Sequence, residues 1–224
     1  MKIFVIHGDH TLNSYERLQS YVKKARSKEW EIINIDKSTN SVKEEILGQS
    51  LFNEKRLLVI KDVKLLTPSL VKWIKNNEGR INCSLIIYHN NIIPKRALNT
   101  LPNPEKLEEY KIPKLIWSFL DSLFPGNVKN IYKLFHEVIK NEAVEFVFAM
   151  LARQFRDIYW AKVDPKTMDY PAWRVSKLKK LASHYKKNEL EKIIEELSLV
   201  DINSKTSQAS LENSLDFLMV KYLE

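Results

Sequence analysis

Glycine is scarce. Four glycines occur in 224 residues, Gly8, Gly48, Gly79 and Gly126, and no two are close together. A phosphate-cradling P-loop needs two glycines five positions apart followed by Lys and Ser or Thr, and a dinucleotide-binding fingerprint needs three closely spaced ones, so both are excluded. A single cysteine, Cys83, excludes an intrachain disulfide and any cysteine-based zinc cluster. It lies in the apolar run 83–88 and reads as a buried strand thiol. No apolar run approaches the roughly 18 residues that a membrane helix requires. The opening stretch MKIFVIHGDH has too short an apolar run for a signal peptide and no small-residue cleavage site, so it reads as the first strand of a cytoplasmic protein. HExxH, EF-hand and G-x-S-x-G motifs are also missing. No cofactor, metal or membrane partner is expected.

What is present is ordinary globular composition, 44% hydrophobic and 29% charged, in a chain long enough for one large domain or two modest ones. Thirty-six Lys and Arg against 28 Asp and Glu leave a net charge of +8. Such an excess fits a nucleic-acid or acidic partner. A basic surface arising from a composition rich in Lys, Ile and Asn accounts for it equally well.

Two patterns alternate over the first hundred residues. Apolar runs at 2–7, 30–35, 56–63 and 84–88 read as strands. The segments 11–28, 41–47 and 68–76 carry helical spacing, with Pro68 suited to a first turn. This β-α rhythm predicts a mostly parallel sheet flanked by helices. Residues 92–113 hold Pro94, Pro102, Pro104 and Pro113 and read as a connector. Beyond it only helices are expected, over 113–124, 127–141, 143–162, 172–186, 188–199 and 206–223. The predicted fold class is α/β followed by all-α, with domains over 1–104 and 112–224.

Three groups of residues are candidates for function. His7, Asp9 and His10 surround the end of the first strand, where open α/β sheets place ligands, and His89 ends another strand nearby. They form the one acid/base cluster worth naming. The plainer reading is a turn in which Asp9 or Thr11 caps the next helix. Asp157 and Asp201 read as solvated or capping. Residues 151–190 hold ten Lys and Arg against four Asp and Glu, interleaved with Phe155, Tyr159, Trp160, Tyr170, Trp173 and Tyr185. Basic residues among exposed aromatics fit nucleic acid, but Phe155 and Tyr159 stand four apart, the spacing of a core stripe, and the aromatics are assigned to packing. Arg153, Arg156, Lys177, Lys179 and Lys180 remain as contacts for DNA or an acidic partner. Finally, Leu51 and Phe52 follow a short helix and precede the polar stretch 53–56. Periodicity leaves two readings, a helix end turned into the core or an apolar plug for another protein.

The order of these features resembles the delta subunit of the bacterial DNA polymerase III clamp loader. The resemblance is carried by strand one with Gly8-Asp9, by Ser50-Leu51-Phe52 before the strand at Lys55–Ile60, and by the strand 84–88 followed by Lys95-Arg96. In the second half it is carried by 116–123 with Gly126-Asn127, by the segment from Met150 to Arg156, and by Asp201 and Lys205 ahead of Leu211, Leu215 and Leu218. It implies an N-terminal ATPase-like (AAA+-like) domain without a P-loop and a C-terminal helical collar-type domain. Ser50, Leu51 and Phe52 would be the clamp-binding tip. The implied function is to bind and open the sliding clamp for loading onto primed DNA, beside the ATPase subunits of the loader and close to DNA, with no ATPase and no active site of its own. The family acts within a holoenzyme that has DNA-directed DNA polymerase activity. Two departures stand out: the family's middle lid-like domain is missing, and the Gln usually found four residues before the Leu is Leu47 here, with a glutamine at Gln49 instead. The alternatives are a basic helical DNA-binding module in replication or repair, and an enzyme using His7, Asp9 and His10.

Overall fold

The computed structural model describes residues 1–39, 41–48 and 55–224. They form two compact units, Met1–Ile112 and Pro113–Glu224. Among the described residues no helix is long and apolar enough to cross a membrane.

The first unit is built on five parallel strands, β1 (Lys2–His7), β2 (Glu31–Ile35), β3 (Arg56–Ile60), β4 (Ser84–His89) and β5 (Lys106–Glu109), in the spatial order β2-β3-β4-β1-β5. The continuous apolar run of β3 has a simple cause. Leu57 and Val59 face one side of the sheet, where they join Ile6, Ile86 and Tyr88 beneath Leu18, Val22 and Ala25 of α1 (Thr11–Arg26). Leu58 and Ile60 face the other side, with Ile3, Val5, Leu85 and Ile87. That side is covered by Ile46 of α2 (Val42–Leu47) and by Leu70, Val71 and Ile74 of α3 (Pro68–Asn76). A strand buried on both faces has no polar side to show, so it loses alternation. Pro68 occupies the first turn of α3, and the Thr67 hydroxyl accepts from the Leu70 N–H, a capping arrangement that Pro and Thr favour.

The stretch 92–113 is more than a connector. It contains the short helix α4 (Lys95–Leu98) and β5, which pairs along β1 from Phe4↔Lys106 to His7↔Glu109. Glu108 of this edge strand is the anchor. Its carboxylate accepts from Arg17 Nε at 2.6 Å and Nη2 at 2.9 Å, from the Tyr21 hydroxyl at 2.9 Å and the Tyr110 hydroxyl at 2.7 Å, with Lys106 Nζ at 2.8 Å. Burial opposes the charge, but the bonds from Arg17, Lys106, Tyr110 and Tyr21 together outweigh it and hold the carboxyl well below the usual carboxylate range. Burial and the same carboxylate push the Tyr110 phenol up to about 12. A carboxyl whose folded pKa is depressed stabilises the fold above its unfolded pKa, and that contribution fades as pH falls toward the folded value. The difference in urea midpoint between wild type and Glu108→Gln is therefore expected to be full at pH 7 and to narrow steadily below about pH 4.5, the ordinary glutamate value. A gap independent of pH would show that the ionised carboxylate is not what secures β5.

The second unit is all helical, as expected: α5 (Lys114–Asp121), α6 (Val128–Ile139), α7 (Val144–Val163), α8 (Ala172–Ala182), α9 (Lys187–Lys205) and α10 (Leu211–Leu223). The long α7 is the hub, in contact with the other five. Phe119, Phe135, Phe155, Ile158, Leu190, Ile193, Leu215 and Leu218 are buried in this unit. The last two helices differ from expectation in one place. α9 runs on to Lys205, and 206–210 form a turn with Ser207 at φ 58° before α10 begins. Gly126, at φ +85°, donates its N–H to the Leu223 carbonyl at 3.0 Å and so fastens the end of α10 to the α5–α6 turn.

Candidate functional site

β1 leads left toward β2 and its neighbour β4 leads right to β5, so the carboxyl end of β1 is the topological switch point of the sheet, the place where such folds bind ligands. His7, Asp9 and His10 do meet there, but each has a structural task. His7 is fully buried between His89 and Glu109 of the neighbouring strands, and its Nδ1 accepts from the Ile93 N–H at 3.2 Å. That bond puts the ring proton on Nε2, which is buried without a partner among the described residues. Burial lowers its pKa. Asp9 Oδ1 accepts from the Ile112 N–H at 2.8 Å. His10 is the N-cap of α1 and accepts from the Asn13 N–H.

The loop between β1 and α1 is closed by the chain itself. The Gly8 N–H donates to the Asn91 carbonyl and the His10 N–H to the Tyr110 carbonyl, both at 3.1 Å, while the Tyr110 N–H returns to the His7 carbonyl at 2.8 Å. Gly8 adopts φ +147°, and a Cβ there would stand 1.8 Å from the Tyr110 oxygen. The Gly8 and His10 N–H groups, donors of the kind a phosphate would seek at this position, are engaged by Asn91 just after β4 and by Tyr110 just after β5.

Ser50, Leu51 and Phe52, the expected clamp-binding tip, lie outside the described residues. The positions on either side of 49–54 are fixed. α2 ends at Leu47 with Gly48 as C-cap, and β3 begins at Arg56. Arg56 is buried, and its guanidinium donates to the carbonyls of Gly48 and Glu45 and to the Glu31 carboxylate at 3.1 Å. One side chain thus ties the residue before the segment to the strand after it. Sequence reading gave Arg56 no such role, since a charged residue at a strand start resembles any solvated one. Leu47, where the resemblance implies a Gln, is 50% exposed. This end of β3 lies at the edge of the sheet opposite to the Gly8 loop, because all strands run the same way.

In the helical unit, Arg153 and Arg156 project from α7 and Lys177, Lys179 and Lys180 from α8, all five exposed. Lys177 meets Asp121 of α5 at 2.5 Å. Two expectations need correcting here. Asp157 is neither solvated nor a cap. It is fully buried on α7, where Oδ1 accepts from Arg156 at 2.9 Å and Oδ2 from the Tyr170 hydroxyl at 3.0 Å and from Arg174 at 3.1 Å. Arg174 also lies over the Tyr170 ring at 4.2 Å. Asp157 and Gln154 share the buried stripe of Val147, Leu151, Phe155, Ile158 and Ala161, and polar residues on an apolar stripe are the signal that would have found this network. The second correction concerns the aromatics. Phe155 and Tyr185 are core, but Trp173 is 69% exposed.

Residues 114–222 match the family model of the DNA polymerase III delta subunit, C-terminal domain. No curated protein matches the chain. Among solved structures it is similar to the DNA clamp loader delta protein of Bacillus subtilis, at 14% identity and a TM-score of 0.47 over 100% of this chain and 95% of that one. It is also similar to a DNA polymerase III gamma subunit-related protein of Thermotoga maritima, at 12% identity and a TM-score of 0.33 over 99% and 93%. The six helices α5 to α10 fill the matched residues, so it is the helical half of this chain that matches the C-terminal domain of the DNA polymerase III delta subunit family.

Proposed function

We propose that the chain is a delta-type subunit of a DNA polymerase III clamp loader, which binds the sliding clamp through Ser50, Leu51 and Phe52 and favours its open form. The observation that carries this reading is the family match across the helical unit, in a chain whose first unit is a parallel sheet of order β2-β3-β4-β1-β5. The closed Gly8 loop supports a subunit that acts by binding rather than by hydrolysing a nucleotide. The helical unit would assemble with other loader subunits in a collar. In this chain α5 begins at Lys114, shortly after β5 ends at Glu109, so the two units follow each other without a lid-like domain between them.

The mechanism follows from what the flanks of the segment provide. Arg56 fixes Gly48 against the start of β3, so the two described flanks are held together before any partner docks, and that much of the ordering cost is already met. Burying Leu51 and Phe52 in an apolar pocket of the clamp would contribute about 3–6 kcal/mol before entropy costs. Only the part of that energy that differs between open and closed rings can move the clamp, since equal affinity for both shifts nothing. Surface plasmon resonance of the chain on the sliding clamp of its own organism tests this. Wild type is expected to bind, and Leu51→Ala with Phe52→Ala to bind at least tenfold more weakly with an unchanged circular dichroism spectrum, a loss of about 1.4 kcal/mol or more. An absence of wild-type binding across a range of salt would remove clamp opening as an activity of this chain, and unfolding of the double variant would place both side chains in the core.

A further inference from the structure

At the amino ends of β1, β3 and β4, the face of the sheet that carries α1 opens into a cavity of about 480 Å³. Tyr21, Lys24, Ala25 and Lys28 reach it at i, i+3, i+4 and i+7, one stripe of α1 and the turn that follows. Its apolar wall is formed by Phe4, Tyr21, Trp30 and Leu57, with the Phe4 and Tyr21 rings 5.0 Å apart. Backbone bonds hold this wall in place. The Trp30 N–H donates to the Ala25 carbonyl at 3.0 Å and the Glu31 N–H to the Lys55 carbonyl at 3.1 Å. Lys55 Nζ stands 5.9 Å from the centre of the Trp30 ring.

Among the described residues, Lys and Arg line this cavity and no Asp or Glu does. Lys2 is matched by Glu105 at 3.0 Å and Arg56 by Glu31 at 3.1 Å. Lys24, Lys28 and Lys55 are exposed and form no ion pair among the described residues. Unmatched like charges around an apolar hollow suit an anion that brings apolar surface with it. The volume falls within the range of ligand clefts, about 300–1,000 Å³, enough for one bulky side chain and its backbone. Asn82 is the one side-chain amide of the lining, and the Tyr21 hydroxyl is already committed to Glu108 at 2.9 Å. The walls therefore offer few groups that could read the edge of a base or a sugar, whereas an alkyl or phenyl anchor needs none. The free lysines come from two places, the end of α1 and the start of β3, so carboxylates on both sides of the anchor meet them. We infer that this cavity docks an acidic peptide segment of a partner protein, with one bulky apolar side chain against Phe4, Tyr21 and Trp30 and its flanking carboxylates on Lys24, Lys28 and Lys55. The inference stands on the first unit alone and does not depend on clamp binding.

Fluorescence anisotropy of the full chain tests it, with a labelled short peptide of Asp and Glu around one central Phe as the probe. Wild type is expected to bind at 50 mM salt and to lose affinity as salt rises. Changing the central Phe of the peptide to Ala is expected to weaken binding about ten- to a hundredfold, the range for one buried aromatic side chain. Lys24→Gln with Lys28→Gln and Lys55→Gln is expected to weaken it at least tenfold and to flatten its salt dependence. The same loss of charge in the helical unit, Lys179→Gln with Lys180→Gln and Lys192→Gln, is expected to bind the peptide as wild type does. All six lysines are exposed, so both variants are expected to keep the wild-type circular dichroism spectrum and a loss of binding reports the contact. The inference is overturned if the peptide does not bind at 50 mM salt, if the Ala peptide binds as tightly as the Phe peptide, if the two triple variants behave alike, or if a DNA single strand of equal charge displaces the peptide at equal concentration.

Discussion

Gly8→Ala is expected to destabilise the first unit by on the order of 3 kcal/mol or more. Two costs combine. The backbone at φ +147° lies in a region that residues with a Cβ rarely adopt, and holding alanine there costs about 1–3 kcal/mol. The second cost is steric. The new methyl would stand 1.8 Å from the Tyr110 carbonyl oxygen and 2.5 Å from its carbon, and neither is the end of a flexible side chain. To make room the chain must move Tyr110 away, breaking the bonds from His10 to the Tyr110 carbonyl and from Tyr110 to the His7 carbonyl. The bond from Ile112 to Asp9 lies in the same layer. Amide hydrogen exchange reads this locally. Protection is expected to fall across β1 and residues 104–112, and the segments 144–163 and 187–205 are expected to exchange as in wild type. A variant with unchanged protection at 104–112 would show that the loop accommodates a side chain and that its closure is not a firm constraint.

The second large effect belongs to Asp157. Asp157→Ala removes the acceptor for the Tyr170 hydroxyl and for the Arg174 guanidinium, whose side chain is only 22% exposed. Breaking a buried ion pair by deleting one member typically costs about 3–5 kcal/mol, since the remaining charge is left without compensation. Arg156 adds little to that sum, because its side chain is 61% exposed and water can take over from the carboxylate. A loss near the lower end, about 3 kcal/mol, is therefore expected in the urea midpoint of the helical unit. Asp157→Asn keeps one acceptor oxygen for Tyr170 or Arg174 and is expected to lose less. If Asp157→Ala unfolds at the wild-type midpoint, the network orients side chains without stabilising the helices.

How much of this was legible depends on what each residue signals locally. β1, β3 and β4 announce themselves because strands covered on both faces are apolar throughout. β5 does not. Lys106-Leu107-Glu108-Glu109 is a strand only through its backbone pairing with β1, and a charged edge is how sheets protect an outer strand. Its one apolar side chain, Leu107, is 47% exposed, so hydrophobic periodicity had nothing to register. The prolines around it pointed correctly to irregular chain but concealed the four residues that complete the sheet. Helices α5 to α8 were legible from apolar spacing with Pro and Gly at their borders, whereas the end of α9 was not, because no glycine or proline marks the turn at 206–210. At the sites the failure has another cause. Burial of Asp157 is decided by Tyr170 and Arg174, which arrive from beyond the end of its own helix, and Trp173 stays exposed at the start of α8, where its residue type alone suggests packing.

The strand order carries a consequence for how the protein is made. β2, β3 and β4 are adjacent in sequence order and can zip together as each leaves the ribosome. β1, the first of the five strands in the sequence, has no partner among them until β4 appears roughly eighty residues later, and its other neighbour, β5, comes roughly twenty residues after that. Its apolar residues Ile3, Val5 and Ile6, all buried in the finished sheet, stay exposed during that interval. The nascent chain therefore carries an unpaired hydrophobic strand while roughly eighty further residues are made, the condition under which a chaperone or an early, partial docking of α1 has the most to protect.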